Sequence, residues 1–206
     1  ITHFSESNTR GKANFSFPSE NYFNRERVRF GMLHVLNDDT IAGGAILAPI
    51  VHATMEIITI PLEGGLKHND NMPNKGIIDF GEIQVISAGS RVDDSEMKAN
   101  QENEPKHYNY SISDTENATP RYDHKSFDIE NQIDTFVNIV SPNDSNDDNA
   151  LWVYQKTFFH LGIFDSNTCT TYTVRIPKNG VYLFLIEGEI AINNNLLKAR
   201  DAMEIT

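Results

Sequence analysis

Three side chains in two separate segments of the sequence could together bind a divalent metal ion. His52 lies in one segment, and Asp94 and Glu96 lie in the other. Side chains two residues apart in an extended strand project from the same face, so Asp94 and Glu96 share a face, and Ile50 shares one with His52. One imidazole and two carboxylates suit iron or manganese and leave coordination positions open. The polar mouth of a barrel without metal accounts for the same residues, and the spacing alone favours that interpretation.

Short strands must position these residues. The chain has 206 residues, of which 39% are hydrophobic. Val, Ile, Phe and Tyr are frequent and long helical stretches are absent, which favours β structure. A strand is predicted over residues 55–62, with a bend at Gly64 and Gly65. Later strands are predicted at residues 108–112, 136–140, 151–159, 172–176, 181–186 and 189–192. Many short strands at this spacing are typical of a sandwich or a barrel.

A weak internal repeat points to duplication. Residues 60–66 and 184–190 both consist of a strand, a Glu-Gly bend and a second strand, although two unrelated hairpins would give the same pattern. Only residues 196–206 follow the second copy, which is too few to close a barrel. We therefore expect a C-terminal barrel that is incomplete in this chain. Because the chain starts at Ile1, we also expect that some N-terminal sequence is missing.

Charge and composition narrow the range of partners and compartments. The formal net charge is -12, which disfavours direct binding of nucleic acid. Cys169 is the single cysteine, so no internal disulfide can form, and a reducing compartment fits. No apolar run is long enough to span a bilayer, and no signal peptide is evident. We expect a cytoplasmic protein that does not bind membranes.

Several segments, in their usual order, resemble the pirin family. The first is the run FGMLHVLNDD at residues 30–39. Each segment alone is a weak signal, but the combination is specific, and the resemblance covers residues 10–206. The other segments lie at residues 55–59, 62–64, 87–96 and 119–123.

The resemblance implies an all-β bicupin, in which two cupin-type β-barrels face each other and only the N-terminal barrel binds metal. We predict the N-terminal barrel over residues 1–118 and the C-terminal barrel over residues 119–206. In the C-terminal barrel, the predicted cavity residues are apolar or aromatic and include no ligand set, so we predict no metal there. These residues are Val174, Ile176, Tyr182 and Phe184.

The resemblance also implies a ligand set made of a His-x-His pair and a later His-x-Glu pair. The first pair falls on Ile50 and His52, and the second falls on Asp94 and Glu96. His52 and Glu96 are therefore kept, whereas an apolar residue and an aspartate replace the other two histidines. We predict metal ligands at His52, Asp94 and Glu96. Any metal would be a single divalent ion, iron by resemblance, with manganese or another metal as alternatives.

The resemblance leaves several functions open. Some members of the family resemble quercetin 2,3-dioxygenases, and in such an enzyme Glu96 would act in catalysis by accepting the proton of a substrate hydroxyl. With a degenerate site we expect weak or absent activity of that type, and a role in binding a small molecule or a protein partner. The alternative is an active metal-dependent oxidoreductase that uses His52, Asp94 and Glu96. A different reaction in the same cavity is a third possibility.

Other residues have structural interpretations. Glu56 is predicted to be a cavity or structural residue, and Arg121 and Tyr122 are predicted to fix the linker between the barrels. Four histidines show no ligand spacing and are predicted to lie on the surface: His68, His107, His124 and His160.

Overall fold

The computed structural model describes residues 4–8, 11–17, 25, 28–41, 50–52, 54–70, 75–89, 92–98, 106–113, 118–145 and 147–206. Every extended regular element in these ranges is a strand, and none of them contains a helix long and apolar enough to cross a membrane. The strands are β1 (Phe4–Asn8), β2 (Gly11–Phe15), β3 (Leu33–Ile41), β4 (Ile50–His52), β5 (Met55–Glu63), β6 (Leu66–Asp70), β7 (Lys75–Ile78), β8 (Glu82–Ser87), β9 (Val92–Lys98), β10 (Lys106–Ser113), β11 (Arg121–Ser126), β12 (Val137–Pro142), β13 (Leu151–Val153), β14 (Phe159–Leu161), β15 (Val181–Phe184), β16 (Glu189–Ile192), β17 (Asn195–Lys198) and β18 (Ala202–Ile205).

A seven-stranded sheet forms the centre of the molecule, with the strand order β1-β2-β3-β10-β5-β8-β11. Because successive side chains in a strand point to opposite sides, this sheet has two distinct faces. One face carries Ile58, Val85 and Tyr108 and packs against the C-terminal part of the chain. We call it the interface face. The opposite face, which carries Thr59 and Gln84, is called the inner face.

A four-stranded sheet covers the inner face, with the strand order β4-β9-β6-β7. Ile41 of the seven-stranded sheet forms a buried cluster with Leu66 and Ile78 of the four-stranded sheet. Short connections join the two sheets, and between β5 and β6 the chain turns at Gly64, whose φ of 68° favours glycine. The two sheets therefore enclose the interior of the first barrel.

The C-terminal part of the chain builds the second barrel from smaller sheets. Their strand orders are β13-β12-β14, β15-β18 and β16-β17. Val137, Ile139 and Val153 are buried in the same hydrophobic cluster as the interface face of the first sheet. Each fully buried aliphatic side chain of this kind contributes about 1.5–3 kcal/mol. The largest core of the protein thus lies between the two barrels.

The expectation of an all-β fold is confirmed, with three differences in detail. The strand predicted over residues 151–159 is limited to β13 at its start, and β14 begins only at Phe159. The strand predicted over residues 172–176 does not form, and β14 and β15 are joined instead by a long irregular segment. β11 follows the predicted boundary between residues 118 and 119, yet its register with β8 makes it part of the first sheet. The division of the chain at that boundary stays a prediction.

Candidate functional site

Backbone register brings the two predicted ligand segments side by side. β4 pairs with β9 so that Ile50 lies opposite Asp94 and His52 lies opposite Val92. Directly opposed residues of an antiparallel pair share one face of the sheet, and so do residues two apart in one strand. Positions 50, 52, 94 and 96 therefore occupy one face of the four-stranded sheet.

That face is the one turned towards the barrel interior. On its other side β9 pairs with β6, where Glu96 lies opposite His68 and Asp94 lies opposite Asp70. Positions 68 and 70 alternate in phase with Leu66, which is 0% exposed in the cluster that meets the seven-stranded sheet. The side chains of His52, Asp94 and Glu96 lie outside the described part of the structure, and their roles as ligands stay a prediction.

Two positions at this site were not singled out from the sequence. The register places His68, predicted to lie on the surface, opposite Glu96, and Asp70 opposite Asp94. The side chains of both residues lie outside the described part of the structure, so the surface prediction for His68 stays a prediction. The alternation of Leu66, His68 and Asp70 with Lys67 and Asn69 would have indicated both, because one phase of a half-buried strand faces the interior.

The residues at these positions do not fit a nitrogen-rich metal centre. Ile50 has no donor atom, although its position is paired with Asp94. The predicted ligands that remain are one imidazole and two carboxylates, a set closer to the oxygen-rich sites of hard cations. Among the side chains that the structure does describe, no three of His, Cys, Asp or Glu come together as a metal site.

The opposite wall of the interior is polar and deeply buried. Thr59, Gln84 and His107 on the inner face are 0% exposed, and Ser111 is 4% exposed. The prediction that His107 lies on the surface was therefore wrong. β10 lies between β3 and β5, so both of its edges are paired within the sheet.

Glu56 is a structural residue on the interface face, not in the interior of the first barrel. Its carboxylate is 0% exposed and accepts a hydrogen bond of 2.9 Å from the Ser87 hydroxyl. It also accepts backbone N–H groups of the second barrel, from Tyr154 at 2.9 Å and from Gln155 at 3.1 Å. This buried carboxylate ties the two barrels together.

Arg121, predicted together with Tyr122 to fix the linker between the barrels, lies in β11 of the first sheet and contacts the same junction. Its guanidinium donates to the Trp152 carbonyl at 2.6 Å and to the Asp123 carboxylate at 2.8 Å. The guanidinium carbon lies 3.7 Å from the centroid of the Trp152 ring, a cation–π geometry. Burial lowers the pKa of Arg121, which nevertheless stays protonated because its reference pKa is so high.

Two of the predicted cavity residues of the second barrel contact the first barrel. Tyr182 and Phe184 pack against aromatic rings of the first barrel, with 5.6 Å between the centroids of Tyr182 and Phe17 and 5.2 Å between those of Phe184 and Tyr108. Val174 is exposed. The prediction that this barrel binds no metal stays a prediction.

His160 lies in the second barrel within a small aromatic cluster, half-buried and not on the surface as predicted. Its Nδ1 is 3.4 Å from the Tyr172 hydroxyl, and the Tyr172 ring packs on Phe136 with 5.4 Å between centroids. Burial, with a further contribution from Arg175, lowers the pKa of His160 to about 4. His160 is therefore a neutral imidazole at physiological pH. Of the four histidines, His124 is exposed as predicted.

An open cleft of about 390 Å³ lies between β11 and the second barrel. Its walls include Asp123, Lys125, Asp147 and Trp152, and none of positions 50, 52, 94 or 96. This cleft is therefore separate from the predicted ligand positions.

Comparison with known proteins connects both halves of the chain to described families. Residues 2–110 match the family model for pirin. Residues 138–206 match the model for the quercetinase C-terminal cupin domain. The two matches support an all-β bicupin fold, and the stretch between them contains the predicted domain boundary.

Individual relatives cover nearly the whole chain. A pirin-like protein of Caulobacter vibrioides is 31% identical over 204 residues, which span 95% of this chain and 83% of the relative. A quercetin 2,3-dioxygenase of Escherichia coli strain K12 is 28% identical over 213 residues, which span 100% of this chain and 90% of the relative. The crystal structure of YhhW from Escherichia coli superposes with a TM-score of 0.90 at 25% identity and covers 98% of this chain and 85% of that one.

Proposed function

The chain belongs to the pirin family, and from that premise we propose that its first barrel contains a degenerate metal site with weak or no quercetin 2,3-dioxygenase activity. The barrel interior then serves to bind a small molecule, or the protein acts through a protein partner. The observation that carries the proposal is the pairing of Ile50 with Asp94 in the register of β4 and β9. Both residues stand where the family resemblance places histidines.

The changes at these two positions act together on metal binding. Ile50 contributes hydrocarbon where a neutral nitrogen ligand is expected, and Asp94 contributes negative charge beside Glu96. Without a cation, neighbouring carboxylates raise each other's pKa and favour a shared proton. Asp70, at the position paired with Asp94, adds another carboxylate residue to the same face. The set therefore favours a hard oxygen-binding cation over an iron centre that depends on imidazole ligands.

The test is the metal content of freshly purified protein, followed by oxygen uptake with quercetin. We expect much less than one equivalent of iron, nickel or manganese by elemental analysis, and oxygen uptake close to the rate without protein. The matched repair variant carries Ile50→His and Asp94→His. It should raise iron affinity by more than the two single changes combined, because the ligands act on one ion.

A second candidate is an active metal-dependent dioxygenase in which His52, Asp94 and Glu96 bind the metal. The Escherichia coli quercetin 2,3-dioxygenase, which aligns over the full chain, favours this function. A full equivalent of iron in the unmodified protein, together with rapid quercetin cleavage that Glu96→Gln abolishes, would establish this candidate and contradict the degenerate site.

Partners and location follow from the same proposal. A net charge of -12 supports a small-molecule ligand or a protein partner over nucleic acid. A cytoplasmic location is a proposal, which fractionation of cells that express the protein would test.

A further inference from the structure

The two strands with the predicted ligand positions, β4 and β9, leave the seven-stranded sheet at the same point. β4 leads through Thr54 into β5, and β8 leads through Gly89 into β9. The pairing of β5 with β8 ends where Glu56 lies opposite Ser87. Just beyond that pair, the Thr54 N–H donates a hydrogen bond of 2.8 Å to the Gly89 carbonyl. These four residues, Thr54, Glu56, Ser87 and Gly89, are called the clasp, and β4 and β9 are called the ligand strands.

Few contacts within its own sheet hold β4 in place. It is an edge strand of three residues, Ile50–His52, and in the strand order of its sheet it is paired with β9 alone. So short an edge strand opens easily. Thr54 has a φ of 56°, a conformation that costs about 1–3 kcal/mol and persists only where neighbouring contacts enforce it. The hydrogen bond from Thr54 to Gly89 is such a contact, so the position of β4 depends on the clasp.

The second barrel holds the clasp through Glu56. The buried carboxylate of Glu56 accepts the Ser87 hydroxyl within the clasp, and it also accepts the backbone N–H groups of Tyr154 and Gln155 from the second barrel. Hydrogen bonds to a carboxylate are about twice as strong as those between neutral groups. Residues 154–155 of the second barrel therefore fix the last cross-strand pair before the ligand strands begin.

The chain segment that leads into β11 holds the clasp at its other end, through Gly89. A Cβ atom at Gly89 would lie 2.7 Å from the Ala118 carbonyl oxygen and 2.9 Å from two ring carbons of Pro120. Packing this close leaves the start of the connection from β8 to β9 no space in which to move towards residues 118–120. Glu56 and Gly89 are thus each held by parts of the chain that lie outside the four-stranded sheet.

We propose that the second barrel supports the ligand strands of the first barrel and that Glu56 is the positioning residue through which it does so. With the contacts to Glu56 in place, the clasp keeps β4 beside β9, and position 50 stays opposite position 94. Without these contacts β4 separates from β9 while the other strands of the sheet stay paired. The coupling acts through the backbone and does not require a metal, and its bearing on function rests on the proposed site of the first barrel. Because coupling between two sites is reciprocal, a molecule that fixes the ligand strands also strengthens the junction of the barrels.

The experiment measures amide hydrogen exchange of the full chain by mass spectrometry under native conditions. Glu56→Ala should speed exchange about tenfold in the peptide that contains β4, because a weakened clasp raises the population of the open strand. Exchange in β6 should change less than about twofold, because β6 belongs to the same sheet but is not joined to the clasp. Glu56→Gln keeps one acceptor oxygen, so it should speed exchange in β4 about fivefold and gives the same test at a smaller cost in stability. Ser87→Ala leaves both second-barrel donors on Glu56 and should change β4 less than about twofold, and Glu63→Gln at the far end of β5 is the control that should change neither peptide.

Three results would overturn the inference. One is unchanged exchange in β4 of Glu56→Ala although its urea midpoint falls, which would limit Glu56 to general stability. Another is an equal acceleration of β4 and β6, which would show that β4 does not open separately. The third is an acceleration of β4 in Ser87→Ala as large as that in Glu56→Ala, which would exclude a contribution of the second barrel. The proposed degenerate metal site fails on a different observation, the iron content and turnover of untreated protein, so the two failures are distinguishable.

Discussion

Replacing Glu56 should weaken the junction of the two barrels more than the loss of any surface charge. Glu56→Ala removes a carboxylate that is fully buried and leaves three donors without their acceptor: the Ser87 hydroxyl and the backbone N–H groups of Tyr154 and Gln155. Each stranded donor costs about 1–3 kcal/mol. Because neighbouring losses are not additive and water can enter the gap, we expect a total of about 3–5 kcal/mol.

Glu56→Gln refines the same prediction. The amide keeps the size of the side chain and one acceptor oxygen. Its NH₂ group, however, replaces the other oxygen and therefore faces a hydrogen-bond donor that the carboxylate oxygen had bound. Arg121, whose charge is coupled to Glu56, also loses a nearby negative charge. We expect a loss of about 2–3 kcal/mol, intermediate between wild type and Glu56→Ala.

The assay is equilibrium urea unfolding followed by tryptophan fluorescence. Trp152 is the single tryptophan and contacts Arg121 at the junction, so its emission reports on this region directly. Glu63→Gln is the matched control, because Glu63 is exposed and pairs with Lys106 at the surface, where ion pairs contribute about 0–1 kcal/mol. If Glu56→Ala loses less than about 1 kcal/mol, or no more than Glu63→Gln, the proposed tie between the barrels is refuted.

Two further changes test other parts of the structure. The pKa of His160 is lowered to about 4 in the folded protein, so its contribution to stability is fully present above pH 6.5 and is lost as the pH falls towards 4. His160→Gln should therefore reduce the change in unfolding free energy between pH 7.5 and 4.5 by about 1–2 kcal/mol, after allowance for the partial exposure of the ring. Urea unfolding at the two pH values measures this change, and an unchanged pH dependence would contradict the prediction. Gly89→Ala should cost about 2–3 kcal/mol in the same assay, because φ is +54° and the new methyl would lie 2.7 Å from the Ala118 carbonyl oxygen. Gly188→Ala is the control, because Gly188 has a φ of +83° and no atom within 4 Å of an added methyl group, so this variant measures the backbone cost alone. An equal loss of stability in both variants would exclude a clash at position 89.

The sequence predicted those features of the fold that depend on alternation and on turn residues. The strand at Met55–Glu63 and its bend at Gly64 are present because an apolar run meets a glycine with positive φ. The segment at residues 172–176 has a similar composition but forms no strand. Tyr172 packs on Phe136 and His160, whereas Val174 is exposed. Such contacts between distant parts of the chain leave no local signal.

The candidate site shows the same division between local and long-range information. Family resemblance identified positions 50, 52, 94 and 96, and the register places the first and third opposite each other. It did not identify Gln84, which is in an ordinary strand and is distinguished only by what surrounds its amide. Whether a buried polar side chain has a partner depends on strands far apart in sequence, so the surroundings of the Gln84 amide became visible only once the pairing of β8 with β5 and β11 was known.

The pairing of Ile50 with Asp94 explains why a repair of the metal site needs both positions. Opposed residues on one face of an antiparallel pair have Cβ atoms about 4.5–5.5 Å apart, so each is the nearest cross-strand neighbour of the other. Asp94→His alone would set an imidazole against hydrocarbon, and the ion would still lack one nitrogen ligand. Ile50→His alone would set an imidazole beside a carboxylate that raises its pKa, so a proton would compete with the metal. Only the double change removes the hydrocarbon and the competing charge at once, and its effect on iron affinity should therefore exceed the sum of the two single changes.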